Sequence, residues 1–386
     1  MASGENARIL GVALPDVSDW IQPQPAGKWS QFFGALAERG SLVDVVRPRL
    51  STWEESANLA VSIRPGRAAW LARAGFNRRR LARVNAVLAR ELRRRVDSYD
   101  VIVQLQTLCS PRSRSVSAPY AIYTDNTMAL TQRHYPAYAP LSSPMVREWL
   151  AFEAGVCRGA EVVFTLSEFA RRSVIDDYQC LPDRVRAVGA GSNQRVTSPD
   201  APPRSRPRAL FVGNDFERKG GRILLEAWPL VRRAVPKAEL VIVGPRRDPA
   251  PRSAEGVKWL GRLARPELAL EYGSASVFVL PSLFEPWGFV FAEAMGYALP
   301  CIGTDCCAMP EIIEPGVTGL LVPRGAPEPL AAALIDLLAD PSKAASLGRA
   351  GHHRVLEKFS WTHVADRVLA HVAALRVSQE SANPRS

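Results

Sequence analysis

The sequence has no uninterrupted apolar run long enough to cross a membrane. A spanning helix needs about 18–20 consecutive apolar residues, and none occurs among the 386 residues. The first residues include Glu5 and an apolar run that ends at Pro15, a pattern that predicts a strand and not a secretory signal. We therefore expect a cytoplasmic protein, with contact at the inner membrane face left open.

Cysteines with metal-binding or redox spacing are also absent. None of the six cysteines stands in a C-x-x-C pair, and only Cys306 and Cys307 are neighbours. This usage predicts reduced thiols, with neither a disulfide framework nor a zinc site. There is no D-x-D pair of carboxylates that would indicate an essential metal.

Lysine is scarce, so arginine carries the positive charge. The chain has 49 Lys+Arg against 38 Asp+Glu, a formal charge of +11, and only six of the basic residues are lysines. In the Arg-rich stretch 71–100, Leu81, Val84, Leu88 and Leu92 recur at helical spacing, which predicts an amphipathic helix with a basic face. That face is either merely solvated or rests on an anionic membrane or acidic acceptor. Nucleic acid is not expected, because the stretch has few aromatic residues to stack on bases.

Short apolar segments rich in β-branched residues alternate with helical stretches throughout the chain, as in sheets buried on both faces. The predicted strands are 9–14, 42–46, 101–105, 120–124, 162–166 and 185–188, then 209–212, 240–243, 257–260, 277–280 and 301–303. Helices are predicted at 223–235 and 329–338, among others.

The alternation predicts an α/β fold with two Rossmann-like, doubly wound domains. The first spans 1–193, a proline-rich linker spans 194–208, and the second spans 209–360. A last helix is predicted at 361–375 and a disordered tail at 376–386. Ligands of such sheets bind beyond the carboxyl ends of the strands, so two facing domains suggest a site in the cleft.

Glycines and two cations follow the strand 209–212. The segment 213–221 contains Arg218 and Lys219 and leads directly into a helix. Glycines let a ligand approach the backbone, and a helix start offers N–H donors to an anion, as a diphosphate requires. The alternative is a basic turn that caps the helix. The segment is neither a G-x-G-x-x-G nor a Walker motif.

Two glutamates surround the next predicted helix start. A proline bars an extended helix before Gly288, so Glu285 is expected in the loop and Glu293 in the second turn. Carboxylates accept hydroxyl donors, and the backbone N–H groups at Gly288, Phe289 and Val290 could meet a phosphate. A phosphate flanked by two sugars would fit this arrangement; the alternative is two ordinary charges.

Several segments resemble the family 4 glycosyltransferases, which have the GT-B architecture of two facing Rossmann-like domains with a last helix crossing back to the first. The resemblance covers most of the chain from residue 164 onward. It lies in FTLSEFARRSVIDDY, FVGNDFERKGGRILLEAW, LPSLFEPWGFVFAEAMGYALP with its E-x7-E element, PEIIEPGVTGLLVP and FSWTHVADRVLAHVAAL.

This resemblance implies roles for the residues of the second domain. Lys219, assisted by Arg218, would hold the donor diphosphate; Glu293 would bind the ribose and Glu285 the donor sugar. The remaining implied donor contacts are Gly213, Asn214, Arg262, Gly288, Phe289 and Val290. The donor would be a UDP- or GDP-linked sugar acting as co-substrate. The resemblance implies retention of configuration, no metal and no other cofactor.

The first domain matches the family weakly. Thr124 stands where members often carry a histidine, and only Asp125 matches the following aspartate. Asp125 is a candidate for acceptor positioning or proton handling, the alternative being a helix cap. His134 could serve instead or be structural. Gly27 and Lys28 lie at a strand-to-helix turn that faces the acceptor or donor phosphate, or is a plain turn.

Taken together, these patterns predict a hexosyltransferase that uses a nucleotide-diphosphate sugar. The acceptor is unidentified: a glycan, a lipid or a small molecule. One alternative is a GT-B nucleotide-sugar epimerase or an inactive transferase-like protein, because the usual first-domain histidine is missing. A second is an Arg-rich nucleic-acid or lipid-binding protein.

Overall fold

The structure is a computed structural model that divides into two compact units, Met1–Gly189 with Trp361–Ser386, and Ala190–Ser360. It describes residues 7–14, 29–113, 116, 118–194, 206–244 and 255–382, with side chains as far as 374. Within that part of the chain, no helix is both long and apolar enough to cross a membrane.

The first unit is built on a parallel six-stranded sheet in the order β2-β1-β3-β4-β5-β6. The strands are β1 (Ile9–Ala13), β2 (Leu42–Val46), β3 (Val101–Leu105), β4 (Tyr120–Thr124), β5 (Val162–Thr165) and β6 (Val185–Ala187). Strands β3, β4 and β5 are buried at every position, as expected of strands covered on both faces. From β1 the chain forms β2 on one side and then returns to form β3 on the other side of β1, parallel to it.

Helices pack against this sheet. They are α1 (Ser30–Glu38), α2 (Thr52–Val61), α3 (Arg67–Gly75), α4 (Arg78–Arg93), α5 (Met128–His134), α6 (Ser143–Gly159), α7 (Glu168–Asp176) and α14 (Trp361–Ala382). Helix α4 confirms the predicted amphipathic helix, because Val84, Leu88 and Leu92 are buried. Arg78, Arg79, Arg83, Arg90 and Arg93 are exposed.

The last helix belongs to the first unit. Arg39, which directly follows α1, donates to Asp366 of α14, with Nη2 2.9 Å from Oδ2, and Arg367 Nη1 donates to the Val188 carbonyl at 2.8 Å. The predicted end of this helix at 375 is wrong, as is a disordered tail at 376–382, because α14 continues through Ala382. Neither glycine nor proline occurs between Trp361 and Ala382, so no residue of this stretch would interrupt the helix.

The second unit has its own parallel six-stranded sheet, in the order β12-β11-β10-β7-β8-β9. The strands are β7 (Arg208–Val212), β8 (Glu239–Val243), β9 (Val257–Gly261), β10 (Val277–Val279), β11 (Cys301–Thr304) and β12 (Gly319–Val322). The helices are α8 (Gly221–Ala234), α9 (Arg265–Ser274), α10 (Phe289–Gly296), α11 (Met309–Ile312), α12 (Pro327–Ala339) and α13 (Pro341–Lys358). Helices α8 and α12 confirm two predicted helices, whereas β12 was not predicted.

The strand order places a topological switch between β7 and β10. From β7 the chain proceeds outward through β8 to β9, and it then returns to the other side of β7 to form β10. Loops that leave the carboxyl ends of two such strands diverge to opposite faces of the sheet and leave a crevice between them. The segments that follow β7 and β10 therefore occupy the expected ligand-binding position of this unit.

Candidate active site

The loops after β7 and β10 are bonded to each other by their backbones. Leu283 N donates to the Arg218 carbonyl at 2.8 Å. Gly220 has a left-handed backbone with φ +74°, and a Cβ atom added there would lie 1.8 Å from the Pro281 carbonyl oxygen. Glycine is thus required for this close approach, which brings two segments distant in sequence to one edge of the sheet.

A compact group of charges forms where these loops meet. Lys219 donates through Nζ to Glu285 Oε2, and Arg218 Nη1 lies 3.6 Å from the same oxygen. Arg218 also donates to the Phe284 carbonyl at 2.8 Å and to Asp215 Oδ2 at 3.0 Å. The structure therefore brings together three of the predicted residues, two cations and one carboxylate, in fixed positions.

Burial sets the electrostatics of this group. The side chain of Lys219 is 13% exposed and that of Glu285 is 9% exposed. Burial lowers the pKa of Lys219; the charge of Arg218 lowers it further, and the Glu285 carboxylate opposes both effects. A cation held in such surroundings interacts strongly with an incoming anion, because little water screens it.

Glu293 lies in the second turn of α10 and is buried. Its Oε2 accepts a hydrogen bond from the Tyr272 hydroxyl at 3.1 Å. Burial raises the pKa of the Glu293 carboxyl, against the Tyr272 hydrogen bond and the positive charges of Arg265 and Lys219. The positive charge of Lys219 thus interacts with the carboxylates of both glutamates of the E-x7-E element.

Helix α10 begins at Phe289, which confirms the predicted helix start. Gly288 precedes it as the N-cap, with a left-handed backbone at φ +97°. The N–H groups of a helix's first turn have no carbonyl acceptor within the helix and carry partial positive charge. Phe289 and Val290 belong to this first turn, which separates Glu285 from Glu293 along the chain.

Three further predicted donor contacts occupy the same edge of the sheet. Gly213 directly follows β7, and a Cβ atom added there would lie 3.0 Å from Lys219 Cγ, so glycine leaves room for the lysine stem. Asn214 follows it and is exposed. Arg262 follows β9, which β8 separates from β7, and it is exposed.

In the first unit, the predicted Asp125 lies at the carboxyl end of β4. Its Oδ1 accepts from Gln106 Nε2 at 2.8 Å, and Gln106 Oε1 accepts from the Thr124 hydroxyl at 3.0 Å. Gln106 follows β3 and has a left-handed backbone at φ +62°. Non-glycine residues seldom adopt this conformation, which is found mainly where structure around it enforces it.

A buried carboxylate, that of Glu153, is hydrogen-bonded to the segments next to Gln106 and Asp125. Glu153 of α6 accepts from the Thr107 hydroxyl at 2.5 Å, from Met128 N at 2.8 Å and from the Tyr178 hydroxyl. Burial raises the pKa of Glu153, and these hydrogen bonds oppose the shift. The loop after β3 and the start of α5 are therefore both tied to one side chain.

The other first-domain candidates are placed differently. His134 is the last residue of α5, and its ring centroid lies 5.3 Å from that of Phe169 in an edge-on contact. Gly27 and Lys28 lie outside the described residues. No group of three or more metal-ligating side chains occurs in the described parts of the chain.

Sequence reasoning missed four residues of these clusters: Asp215, Tyr272, Gln106 and Glu153. An aspartate three residues before an arginine in a loop is a weak signal for an ion pair. Tyr272 lies on a helix that precedes β10, and its contact with Glu293 depends on how α9 and α10 pack. Gln106 follows a buried strand, which was the one available signal.

The sequence of the second unit is similar to that of a known protein family. Residues 206–340 match the family model described as Glycosyl transferases group 1. An alpha-maltose-1-phosphate synthase of Mycolicibacterium smegmatis is 32% identical over 258 residues, which are 58% of this chain and 65% of that protein. The chain therefore covers less than two thirds of the length of this relative.

Other curated relatives match shorter stretches. A GDP-mannose-dependent monoacylated alpha-(1-6)-phosphatidylinositol monomannoside mannosyltransferase of Corynebacterium glutamicum is 33% identical over 164 residues, 39% of this chain and 43% of that protein. A D-inositol 3-phosphate glycosyltransferase of Segniliparus rotundus is 35% identical over 180 residues, 43% of this chain and 40% of that protein.

Solved structures match the chain over nearly its whole length. Sucrose-phosphate synthase from Thermosynechococcus elongatus has a TM-score of 0.72 at 21% identity, covering 96% of this chain and 100% of that one. Anabaena HepE in complex with UDP and glucose has a TM-score of 0.67 at 16% identity, covering 95% and 99%. The predicted fold class, α/β with two Rossmann-like units of the GT-B type, is thereby confirmed.

Proposed function

We propose that the protein transfers a hexosyl group from a nucleotide-diphosphate sugar to an acceptor. The proposal proceeds from the premise that residues 206–340 form a domain of the Glycosyl transferases group 1 family. The observation that carries this proposal is the group formed by Arg218, Lys219 and Glu285 at the switch between β7 and β10. Two cations, two carboxylates and a helix start converge there.

The proposed roles follow from the chemistry of the bond that breaks. Cleavage of a sugar–diphosphate bond leaves negative charge on the diphosphate, and charges fixed in advance beside it lower the barrier. Lys219 and Arg218, with the first turn of α10, would supply that stabilisation. Glu293 and Glu285 are acceptor-only when ionised and suit the hydroxyls of the ribose and the donor sugar.

Several finer features belong to the same proposal. We propose that the donor carries UDP or GDP, that the reaction retains configuration, and that no metal or separate cofactor takes part. The names of two similar proteins support a nucleotide-sugar donor: the Corynebacterium glutamicum relative is described as GDP-mannose-dependent, and HepE is described in complex with UDP and glucose. The acceptor is a glycan, a lipid or a small molecule.

The first unit would bind that acceptor. Asp125 is proposed to position the acceptor hydroxyl or take its proton, with Gln106 holding the carboxylate in place. The contact of His134 with Phe169 supports a packing role for the histidine instead. The exposed arginines of α4 support contact with an acidic acceptor or an anionic lipid surface in the cytoplasm.

The test is a thermal-shift screen of nucleotide sugars, UDP and GDP included. A ligand at about 100 times its Kd stabilises the native state by about 2.7 kcal/mol. We expect one nucleotide series to raise the unfolding temperature in the wild type and in Lys237→Ala, which removes an exposed lysine of the same unit. Lys219→Ala should reduce the stabilisation at the same nucleotide concentration to about half or less.

Two outcomes would contradict the proposal. If Lys219→Ala responded to the nucleotide as the wild type does, the diphosphate site would be elsewhere. If incubation with a nucleotide sugar alone released a different free nucleotide sugar, the epimerase alternative would replace transfer.

A further inference from the structure

The two neighbouring cysteines differ from the other four. Cys306 and Cys307 lie in the loop between β11 and α11 and are partly exposed, whereas Cys109, Cys157, Cys180 and Cys301 are buried. The remaining thiols therefore have little access to a reagent in the folded protein.

The backbone at Cys307 is held in an unfavourable conformation. Its φ is +56°, in the left-handed region that costs a residue with a Cβ atom about 1–2 kcal/mol. Glycine would adopt the same backbone without that cost. The loop thus carries a cysteine at a position where the backbone conformation favours glycine.

The contacts of the two thiols reach the proposed donor site. Ala308, which directly follows Cys307, donates through its backbone N–H to the Glu285 carbonyl at 3.5 Å. Cys306 Sγ lies 3.4 Å from Thr304 Oγ1 and 3.9 Å from the Ser282 carbonyl. The pair therefore rests on the same segment that presents Glu285 to Lys219.

The neighbouring groups favour ionisation of one sulfur of the pair. The hydrogen bond from Cys307, with help from Thr304 and Arg324, lowers the pKa of Cys306 to about 7, against burial and the charge of Asp305. The pKa of Cys307 is raised, because it donates to Cys306, is partly buried and lies near Glu285. The thiolate is the reactive form of cysteine.

We propose that Cys306 and Cys307 form a vicinal dithiol site for thiol–disulfide exchange, with Cys306 as the attacking group and a low-molecular-weight disulfide as its co-reactant. The Cys306 sulfur attacks one sulfur of the reagent and forms a new S–S bond. The reagent's own S–S bond breaks, and the departing thiolate takes a proton from solvent. Cys306 and one sulfur of the reagent end in a mixed disulfide.

The reaction should stop at the mixed disulfide. Attack by Cys307 on that bond would join residues whose Cα atoms are about 3.8 Å apart across a trans peptide, below the range of about 4.4–6.8 Å of ordinary disulfides. The raised pKa of Cys307 also disfavours the attack. The added group would then press on the Glu285 segment, and a resulting loss of turnover is a consequence that rests on the proposed function.

Dithiobis(nitrobenzoate), an aromatic disulfide that releases a coloured thiolate, tests the site directly. We expect one fast thiol per native chain in the wild type and in Cys180→Ser, and none in Cys306→Ser. The rate in the wild type should rise with a midpoint near pH 7, and in Cys307→Ala, which removes the neighbouring S–H donor, that midpoint should move upward. A fast phase that survived in Cys306→Ser, or a midpoint that did not move, would overturn the assignment.

Glutathione disulfide tests the coupling to Glu285. Mass spectrometry should find one glutathione on Cys306, removable by dithiothreitol, and the modified wild type should lose nucleotide release from the sugar donor. Cys306→Ser should keep its turnover in the presence of the reagent. Full modification with unchanged turnover would refute the coupling, whereas an unmodified protein that binds no nucleotide would refute the proposed function and leave the thiol site standing.

Discussion

Lys219 and Glu285, which lie 66 positions apart in the sequence, form a largely buried ion pair at the carboxyl edge of the second sheet. One comes from the loop after β7 and the other from the loop after β10. Because the pair is formed within the protein, the cation proposed to meet a diphosphate is already positioned and little reorganisation is needed. The same carboxylate repels that diphosphate, so the two residues should affect nucleotide affinity in opposite directions.

Substitution of each member of this pair separates their proposed roles. Lys219→Ala should weaken UDP or GDP binding by roughly 10–100-fold, because it removes a charge-assisted hydrogen bond of about 1.5–3 kcal/mol. Glu285→Gln should keep or tighten binding of the same nucleotide, because it removes a negative charge, and should abolish turnover of the sugar donor. Titration calorimetry and a nucleotide-release assay measure the two effects.

Glu226→Gln is the matched control, since Glu226 is an exposed glutamate on α8. It should leave both affinity and turnover unchanged. Weaker nucleotide binding in Glu285→Gln than in the wild type would argue against a diphosphate at Lys219.

Glu293 should reduce the stability of the protein at neutral pH. Burial raises its pKa, so the native state holds a proton at pH values where the unfolded chain has released it. The resulting stabilisation is complete below the unfolded pKa and is lost as the pH rises through the folded pKa. Glu293→Gln stays neutral, and its amide oxygen can still accept from Tyr272.

We therefore expect Glu293→Gln to be more stable than the wild type at about pH 8, by about 0.5–2 kcal/mol, while nucleotide binding is lost. The difference in urea midpoint should shrink toward about pH 4. A variant less stable than the wild type at pH 8 would show that the ionised carboxylate is stabilising.

The sequence predicted the strands of this fold well because most are continuous apolar runs buried on both faces. Strands β2, β3 and β4 fall on the predicted boundaries. Strand β12 escaped prediction because it is a four-residue edge strand whose central residues, Leu320 and Leu321, are only half-buried. A run so short between glycine and proline resembles a loop.

The candidate site was predictable where its residues are adjacent in sequence and not where tertiary packing brings them together. The start of α10 follows from local backbone chemistry, since Pro286 limits a helix before Gly288. The contact between Tyr272 and Glu293 depends on the packing of two helices. The left-handed backbone at Gln106 has no signal in the residue type.

Gly220 should be necessary for the approach of the two loops. An alanine there would have an unfavourable φ of +74° and a Cβ atom 1.8 Å from the Pro281 carbonyl oxygen. Gly316 has a φ of +75° with nothing within 4 Å of an added Cβ, so Gly316→Ala isolates the backbone cost of about 1–2 kcal/mol. Gly220→Ala should lose about 1–3 kcal/mol more, through the overlap.

Urea unfolding measures both glycine variants. If the two lost equal stability, the loop after β7 could move away from Pro281 at no cost, and the close approach would not fix the position of Lys219.

Asp125 should affect the transfer step without affecting the donor. Its carboxylate lies in the first unit, held by Gln106 Nε2 at 2.8 Å, whereas the proposed diphosphate site lies in the second. Asp125→Asn should therefore leave the calorimetric affinity for UDP or GDP unchanged and lower nucleotide release from the sugar donor by about 10²–10⁴-fold, the range for a general base. Asp97→Asn, at an exposed position of the same unit, should change neither quantity.

Gln106→Leu removes the donor to Asp125 and should lower turnover less than Asp125→Asn, since a carboxylate held loosely still accepts a proton. Unchanged turnover in Asp125→Asn would leave the carboxylate with a structural role, as the acceptor for Gln106, and remove it from the reaction.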